Sequence, residues 1–227
     1  MLPPQLRTRR ISDPYVIFYD IAQSKTYRLW LPYMRGKYCR GSSHGWLVLE
    51  YLPRVSLLNP ITKRCIDLPS LDSPPTLLRD ATSKRMRSVP SNQHKEFCIK
   101  KASLSCTPSK PGCVVVALFC LLSSNWHLGF CRIGDSQWTK LKQDAGLVVR
   151  DFAFYNNLVY TVNTQMGISV YDLQGCPLWT FPSKINFYYN YFPTQIKLVE
   201  GDADSSGPLI VGTLRLSGVI ICRYGVE

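Results

Sequence analysis

The sequence leaves no room for long helices. Sixteen prolines and fourteen glycines are spread through its 227 residues, and no heptad pattern runs between them. Proline inside a helix removes a hydrogen bond and clashes with the preceding turn, so each of these residues interrupts a helical reading. Long hydrophobic runs are missing too. The longest, 113–122, is ten residues, short of the roughly 20 that a membrane-spanning helix needs. The opening MLPPQLRTRR has no apolar segment of a secretory leader.

Catalytic and metal-binding patterns are equally scarce. Only three histidines occur, His44, His94 and His127, and none stands in an HxH or HExxH spacing. No GxSxG elbow is present, so Ser42 and Ser43 beside His44 read as the opening of a strand rather than a hydrolase site. His127 alternates with Trp126 and Leu128 and reads as a packed histidine. Asp135 follows Gly134 and reads as a turn residue capping its own backbone. Gly129 and Gly167 match no phosphate-cradling loop. Nine cysteines, at 39, 65, 98, 106, 113, 120, 131, 176 and 222, form no CxxC pair and are odd in number. The expectation is buried free thiols in a reducing compartment, cytoplasmic or nuclear, without disulfides or zinc. No catalytic, cofactor-binding or metal-binding residue is assigned, no cofactor is expected, and the chain reads as a non-enzyme.

Charge is abundant in one sign only. The net charge is +12, and most of the excess sits in two segments. Residues 1–40 carry eight Lys/Arg against two Asp, and residues 79–101 carry seven against two acids. Such segments suit solvated flanks, nucleic acid or an acidic partner surface. The aromatic run at 188–192 (YYNYF) offers core packing or base stacking.

What the sequence has in plenty is short apolar runs between turn residues. The central stretch is 41–69, GSSHGWLVLEYLPRVSLLNPITKRCIDLP. Runs at 46–51, 55–58 and 64–68, separated by Pro53 and by Asn59-Pro60, predict a meander of antiparallel strands. Alternation puts Leu47, Leu49 and Tyr51 on one face, and Trp46, Val48 and Glu50 on the other. Both faces are largely apolar, which predicts a sheet covered on both sides. Upstream, residues 1–14 read as a loose Pro/Arg-rich terminus, followed by a hairpin of 15–21 and 26–31 joined at 22–25. The basic run 35–40 reads as a lead-in to the central stretch. Residues 70–95 read as a long basic surface loop.

Further strands are predicted at 100–105, 114–122, 126–133 and 138–141. Four more, at 148–155, 158–163, 168–173 and 178–181, are joined by Asn156-Asn157 and other turn chemistry. Four strands in about 34 residues is the size of a propeller blade. Leu31-Pro32 and Leu68-Pro69 lie 37 residues apart, and Trp138 and Trp179 lie 41 apart, as blade-length repeats would place them. Three last strands are predicted at 195–200, 208–214 and 219–224, with no fourth. The fold expected is all-β, a β-propeller of four-stranded blades, incomplete, over residues 15–227. Trp46 and Trp138 are expected in the layers between blades.

Several of these segments resemble one family. GSSHGWL (41–47), LLNPITKRCIDLP (57–69), CRIGDSQWTKL (131–141) and FAFYNNLVYTVNTQMGISVYDL (152–173) are similar to the plant F-box-associated propeller domain of the KIB type. KLVEGD (197–202) resembles a YLVES strand of that domain, and the likeness extends in order over most of 15–215. The resemblance implies a protein-interaction module that holds the substrate of an SCF ubiquitin ligase, whose F-box docks on a Skp-type adaptor. An F-box and the C-terminal blades are expected to be missing from this chain, so adaptor binding is not expected of it. The alternative is a nucleic-acid or acidic-surface binder acting through the basic segments. No membrane association is expected.

Overall fold

The computed structural model describes residues 11–71, 98–121, 125–141, 148–165, 167–181, 195–199, 209–214 and 218–223. Seventeen strands and a 3-10 turn at Pro32–Met34 occupy these residues, and no α-helix is found among them. The chain forms two compact units, Met1–Phe119 with Gly129–Thr139, and Cys120–Leu128 with Lys140–Glu227.

In the first unit, β1 (Tyr15–Asp20) and β2 (Lys25–Trp30) form a hairpin in the register Tyr15↔Trp30 to Asp20↔Lys25. Next comes a four-stranded sheet in chain order: β3 (Tyr38–Ser43), β4 (Trp46–Tyr51), β5 (Arg54–Leu58) and β6 (Cys65–Leu68). Each connection has a local cause. His44 and Gly45 both adopt positive φ (50° and 76°), the combination that matches the twist of a two-residue hairpin. Asn59 Oδ1 accepts from the Ile61 and Thr62 amides at 3.0 and 2.9 Å, holding the β5–β6 turn.

The alternation along β4 divides its side chains as predicted. Leu47 and Leu49 pack with Val16, Leu31, Met34 and Leu58. Trp46 and Val48 pack in a separate cluster with Leu57, Leu104, Phe119 and Trp138. The blade is therefore covered on both faces.

One strand of this blade departs from expectation. Residues 38–43, read as part of a basic lead-in and the start of the meander, form β3. Its sequence YCRGSS buries a single side chain, Cys39, and offers no apolar alternation. Pairing with β4, through a register shift between Cys39 and Gly41, makes it a strand. Tertiary context overrides local preference here.

The next sheet has the order β10-β9-β8-β7, built from β7 (Cys98–Leu104), β8 (Val114–Leu121), β9 (Asn125–Arg132) and β10 (Thr139–Lys140). β7 lies against the preceding blade and is tied to it through main-chain groups. The Ile99 amide donates to Glu50 Oε1 at 2.9 Å, and the Leu104 amide donates to Ser43 Oγ at 2.8 Å. Glu50 is fully buried, and Arg40 donates through Nε to its other oxygen. Trp138 meets the Phe119 ring edge-on at 5.1 Å and donates its indole N–H to the Pro69 carbonyl at 2.9 Å.

The second unit contains the sheet β11-β12-β13-β14: β11 (Val149–Tyr155), β12 (Leu158–Asn163), β13 (Ile168–Tyr171) and β14 (Pro177–Phe181). Asn156 and Asn157 take positive φ (47° and 59°) in its first turn. Asn163 Oδ1 accepts from the amides of Gln165 and Gly167, and Asp172 Oδ1 from those of Gln174 and Cys176. Phe152, Val162 and Val170 are fully buried in its core. The last three strands, β15 (Gln195–Val199), β16 (Leu209–Leu214) and β17 (Gly218–Arg223), form a three-stranded antiparallel sheet, as the sequence predicts.

Of the two tryptophans 41 residues apart, Trp138 is 2% exposed and Trp179 48%. The expectation of buried free thiols needs correction. Cys39, Cys113 and Cys131 are buried free thiols, whereas Cys65 and Cys176 are exposed. Cys65 opens β6 directly after a tight turn, and Cys176 sits in the Asp172 turn, so neither side chain reaches a core.

Candidate functional site

The β1–β2 hairpin has two unlike faces. Successive strand residues point to opposite sides, so Val16, Phe18 and Leu29 share the face that packs into the cluster of Leu31, Met34 and Leu49. The opposite face carries Tyr15, Ile17 and Tyr19 on β1 and Thr26, Arg28 and Trp30 on β2, in directly opposed pairs. Tyr15, Ile17, Tyr19 and Trp30 are all exposed there, Ile17 to 58% and Tyr19 to 61%.

This outward face is ordered by its own contacts. The Tyr15 and Trp30 rings meet edge-on at 4.8 Å, and the Arg28 guanidinium stands 4.0 Å from the centre of the Tyr15 ring. Asp13 Oδ1 accepts from the Tyr15 amide at 2.8 Å, and the Leu31 amide donates to the Pro14 carbonyl at 2.7 Å, closing the open end. At the turn, Asp20 Oδ1 accepts from the Ala22 and Gln23 amides, and Ser24 takes φ 52°.

Tyrosine, tryptophan and arginine are the residue types enriched in the cores of protein–protein interfaces. Large rings lose little conformational entropy on binding, and a stacked guanidinium keeps its outer N–H groups for a carboxylate. The face suits a protein surface that offers aliphatic side chains and an acidic group. The sequence reading found the hairpin but assigned it no binding face. Its signal was the Tyr-x-Ile-x-Tyr of β1 opposite the Thr-x-Arg-x-Trp of β2.

Residues considered for chemistry serve elsewhere. His44 lies exposed in the β3–β4 turn, and Ser43 Oγ is engaged by the Leu104 amide. His127 is half-buried on β9. Asp135 Oδ2 accepts from the Arg132 amide at 2.7 Å, the backbone cap predicted for it. Gly129 lies within β9, and the Gly167 amide donates to Asn163. His94, residues 70–95 beyond Leu71 and the aromatic run 188–192 lie outside the described residues. Among the described residues no group of three or more His, Cys, Asp or Glu side chains could hold a metal ion, and no helix is long and apolar enough to cross a membrane.

Comparison with solved structures shows propeller neighbours. BBS1N in complex with ARL6DN aligns with a TM-score of 0.51 at 10% identity, over 95% of this chain and 60% of that one. A chain of the Mitotic Checkpoint Complex aligns with a TM-score of 0.51 at 13% identity, over 94% of this chain and 56% of that one. At such identities the likeness is one of fold, and the chain spans less than two thirds of the length of either. No curated protein matches the sequence. The family model described as KIB1-4 beta-propeller matches residues 18–211, through all three four-stranded sheets. The chain belongs to the KIB1-4 β-propeller family.

Proposed function

We propose that this chain is a non-enzymatic protein-interaction module, the substrate-holding propeller of a ubiquitin-ligase receptor of the plant F-box type. The observation that carries this reading is the outward face of the β1–β2 hairpin, where Tyr15, Ile17, Tyr19, Arg28 and Trp30 stand exposed on a strand pair anchored from beneath. Singly exposed apolar residues are ordinary, but a grouped aromatic face marks an interaction site. The family resemblance supplies the ligase context, and the protein assemblies in which both solved neighbours were determined are consistent with a binding role at the level of fold alone. The partner is a protein with an acidic, aliphatic surface, and the working compartment is cytoplasm or nucleus.

The test compares the purified chain with Trp30→Ala and Arg28→Glu variants in quantitative affinity capture, followed by direct binding of each recovered protein. A partner that loses at least tenfold in affinity for both variants, and is ubiquitylated when an F-box is grafted onto the wild-type chain, supports the proposal. Partners that bind the variants as tightly as wild type overturn it. Capture of nucleic acid alone, collapsing between low and moderate salt, would favour the basic-segment alternative instead.

A further inference from the structure

Two thiols face each other across the loop that joins β7 to β8. The Ser105 amide donates to the Val114 carbonyl at 2.9 Å, and the Val114 amide donates to Ser105 Oγ at 3.0 Å. One residue further toward the loop on each side stand Cys106 and Cys113, and Cys113 Sγ donates to the Cys106 carbonyl at 3.2 Å. Ser105 Oγ, held at the start of β8, is also 3.9 Å from Cys106 Sγ, which places that sulfur at the start of β8 as well. β7 ends at Leu104 and β8 begins at Val114, so the two cysteines flank the connecting loop, and the Sγ of one within reach of the carbonyl of the other holds them near the roughly 4.4–6.8 Å Cα separation that a disulfide bridges.

The two sulfurs also differ in setting. Cys106 is half-exposed, and Cys113 is buried. The Cys113 thiol is pushed up to about 11, first by burial and then by the charge of Cys106, an influence that only a close neighbour exerts. Cys131, behind it, is buried more deeply and pushed up by burial, then by Asp135 and by Cys113. Cys113 forms part of the wall of a shallow depression of about 380 Å³ bordered by Lys110 and Arg132. Cys106 does not border the depression, and its own partial exposure is what opens it to a small oxidant.

We propose that Cys106 and Cys113 are a redox-responsive dithiol, which a hydroperoxide converts into a cross-strand disulfide. Cys106, as thiolate, attacks the outer peroxide oxygen. The O–O bond breaks, the alcohol leaves with a proton, and Cys106 becomes a sulfenic acid. The Cys113 thiol then attacks the Cys106 sulfur and gives up its proton as it does so. The S–S bond forms, the S–O bond breaks, and the departing hydroxide takes up the thiol proton as water. Two thiols and one hydroperoxide yield a disulfide, an alcohol and water, with two electrons passing from sulfur to the peroxide. The product staples residues 107–112 and fixes Lys110 at the border of the depression.

The experiment treats the purified full chain with hydrogen peroxide, alkylates the remaining thiols, and maps the cysteines by tandem mass spectrometry before and after reduction. Lys110 precedes Pro111, so trypsin leaves both cysteines in one peptide, and a bridge between them suppresses backbone fragments from 106 to 113 until it is reduced. Loss of two alkylatable thiols at these positions, with Cys120 and Cys131 in the same peptide still alkylated, is the expected result. A Cys113→Ser variant should trap a dimedone-reactive sulfenic acid on Cys106, whereas Cys106→Ser should leave Cys113 unlabelled. Alkylation of both residues after peroxide, a Cys113–Cys131 bridge, or sulfinic acid on Cys106 without a bridge overturns the proposal. The mapping uses the wild-type chain, so it does not depend on the folding of either variant.

Discussion

Gly41 of β3 stands so close to Ala102 of β7 that a Cβ placed on it would overlap the Ala102 carbonyl oxygen. Positive φ is not the reason for glycine here. Space is. The obstructing atom belongs to backbone and cannot swing aside, so any larger residue must push the two strands apart. The amides of Ile99 and Leu104, on either side of Ala102, donate to Glu50 and Ser43 and hold β7 in that position.

Gly41→Ala should therefore destabilise the fold by about 1–3 kcal/mol through overpacking. Urea denaturation checks this. An unchanged midpoint would mean that β7 yields freely.

Trp138→Ala should cost about 3–5 kcal/mol, because it removes a buried ring and opens a cavity beside Phe119. Trp138→Phe retains much of the ring but leaves the Pro69 carbonyl without its donor, at about 1–3 kcal/mol. Trp179→Ala, half-exposed on β14, should stay within about 0.5 kcal/mol. Equal losses at Trp138 and Trp179 would contradict the burial that separates them.

Glu50 should make stability fall as pH rises. Burial raises its carboxyl above the ordinary 4.5, against the opposing influence of the Arg40 charge and the hydrogen bonds from Ile99 and Arg40. Between the unfolded and folded values the native state binds more protons than the unfolded chain. This contribution is complete below the unfolded value and is lost as pH rises through the folded one. Glu50→Gln should flatten that slope in denaturation profiles taken from mild acid to neutrality. Glu50→Ala should cost about 3–5 kcal/mol at neutral pH, since it removes the buried carboxylate that accepts from Arg40 and from the Ile99 amide. Parallel profiles for wild type and Glu50→Gln would refute the assignment.

The strands that could be read in the sequence were those whose side chains alternate or whose turns carry Asn, Gly or Pro. Trp46–Tyr51 and Leu158–Asn163 emerge with the same bounds in the structure, because two-residue turns on both sides of the first and before the second pin the register. β3 was illegible, since Arg40, Gly41, Ser42 and Ser43 have no local preference for a strand and acquire one only beside β4. Glu50 read as a polar residue on an apolar face, and nothing nearby announced that the Ile99 amide, 49 residues later, would meet it. The aromatic face of the hairpin was hidden for a different reason. Apolar residues on both sides of a strand look the same whether the second side meets a core or solvent.

The two faces of that hairpin are subject to separate histories. Val16, Phe18 and Leu29 answer to the core beneath them, and exchanging any of them disturbs folding. Tyr15, Ile17, Tyr19, Arg28 and Trp30 belong to no core and are constrained by one another alone. One half of the hairpin can be rewritten, letter by alternate letter, without redesigning the scaffold that presents it.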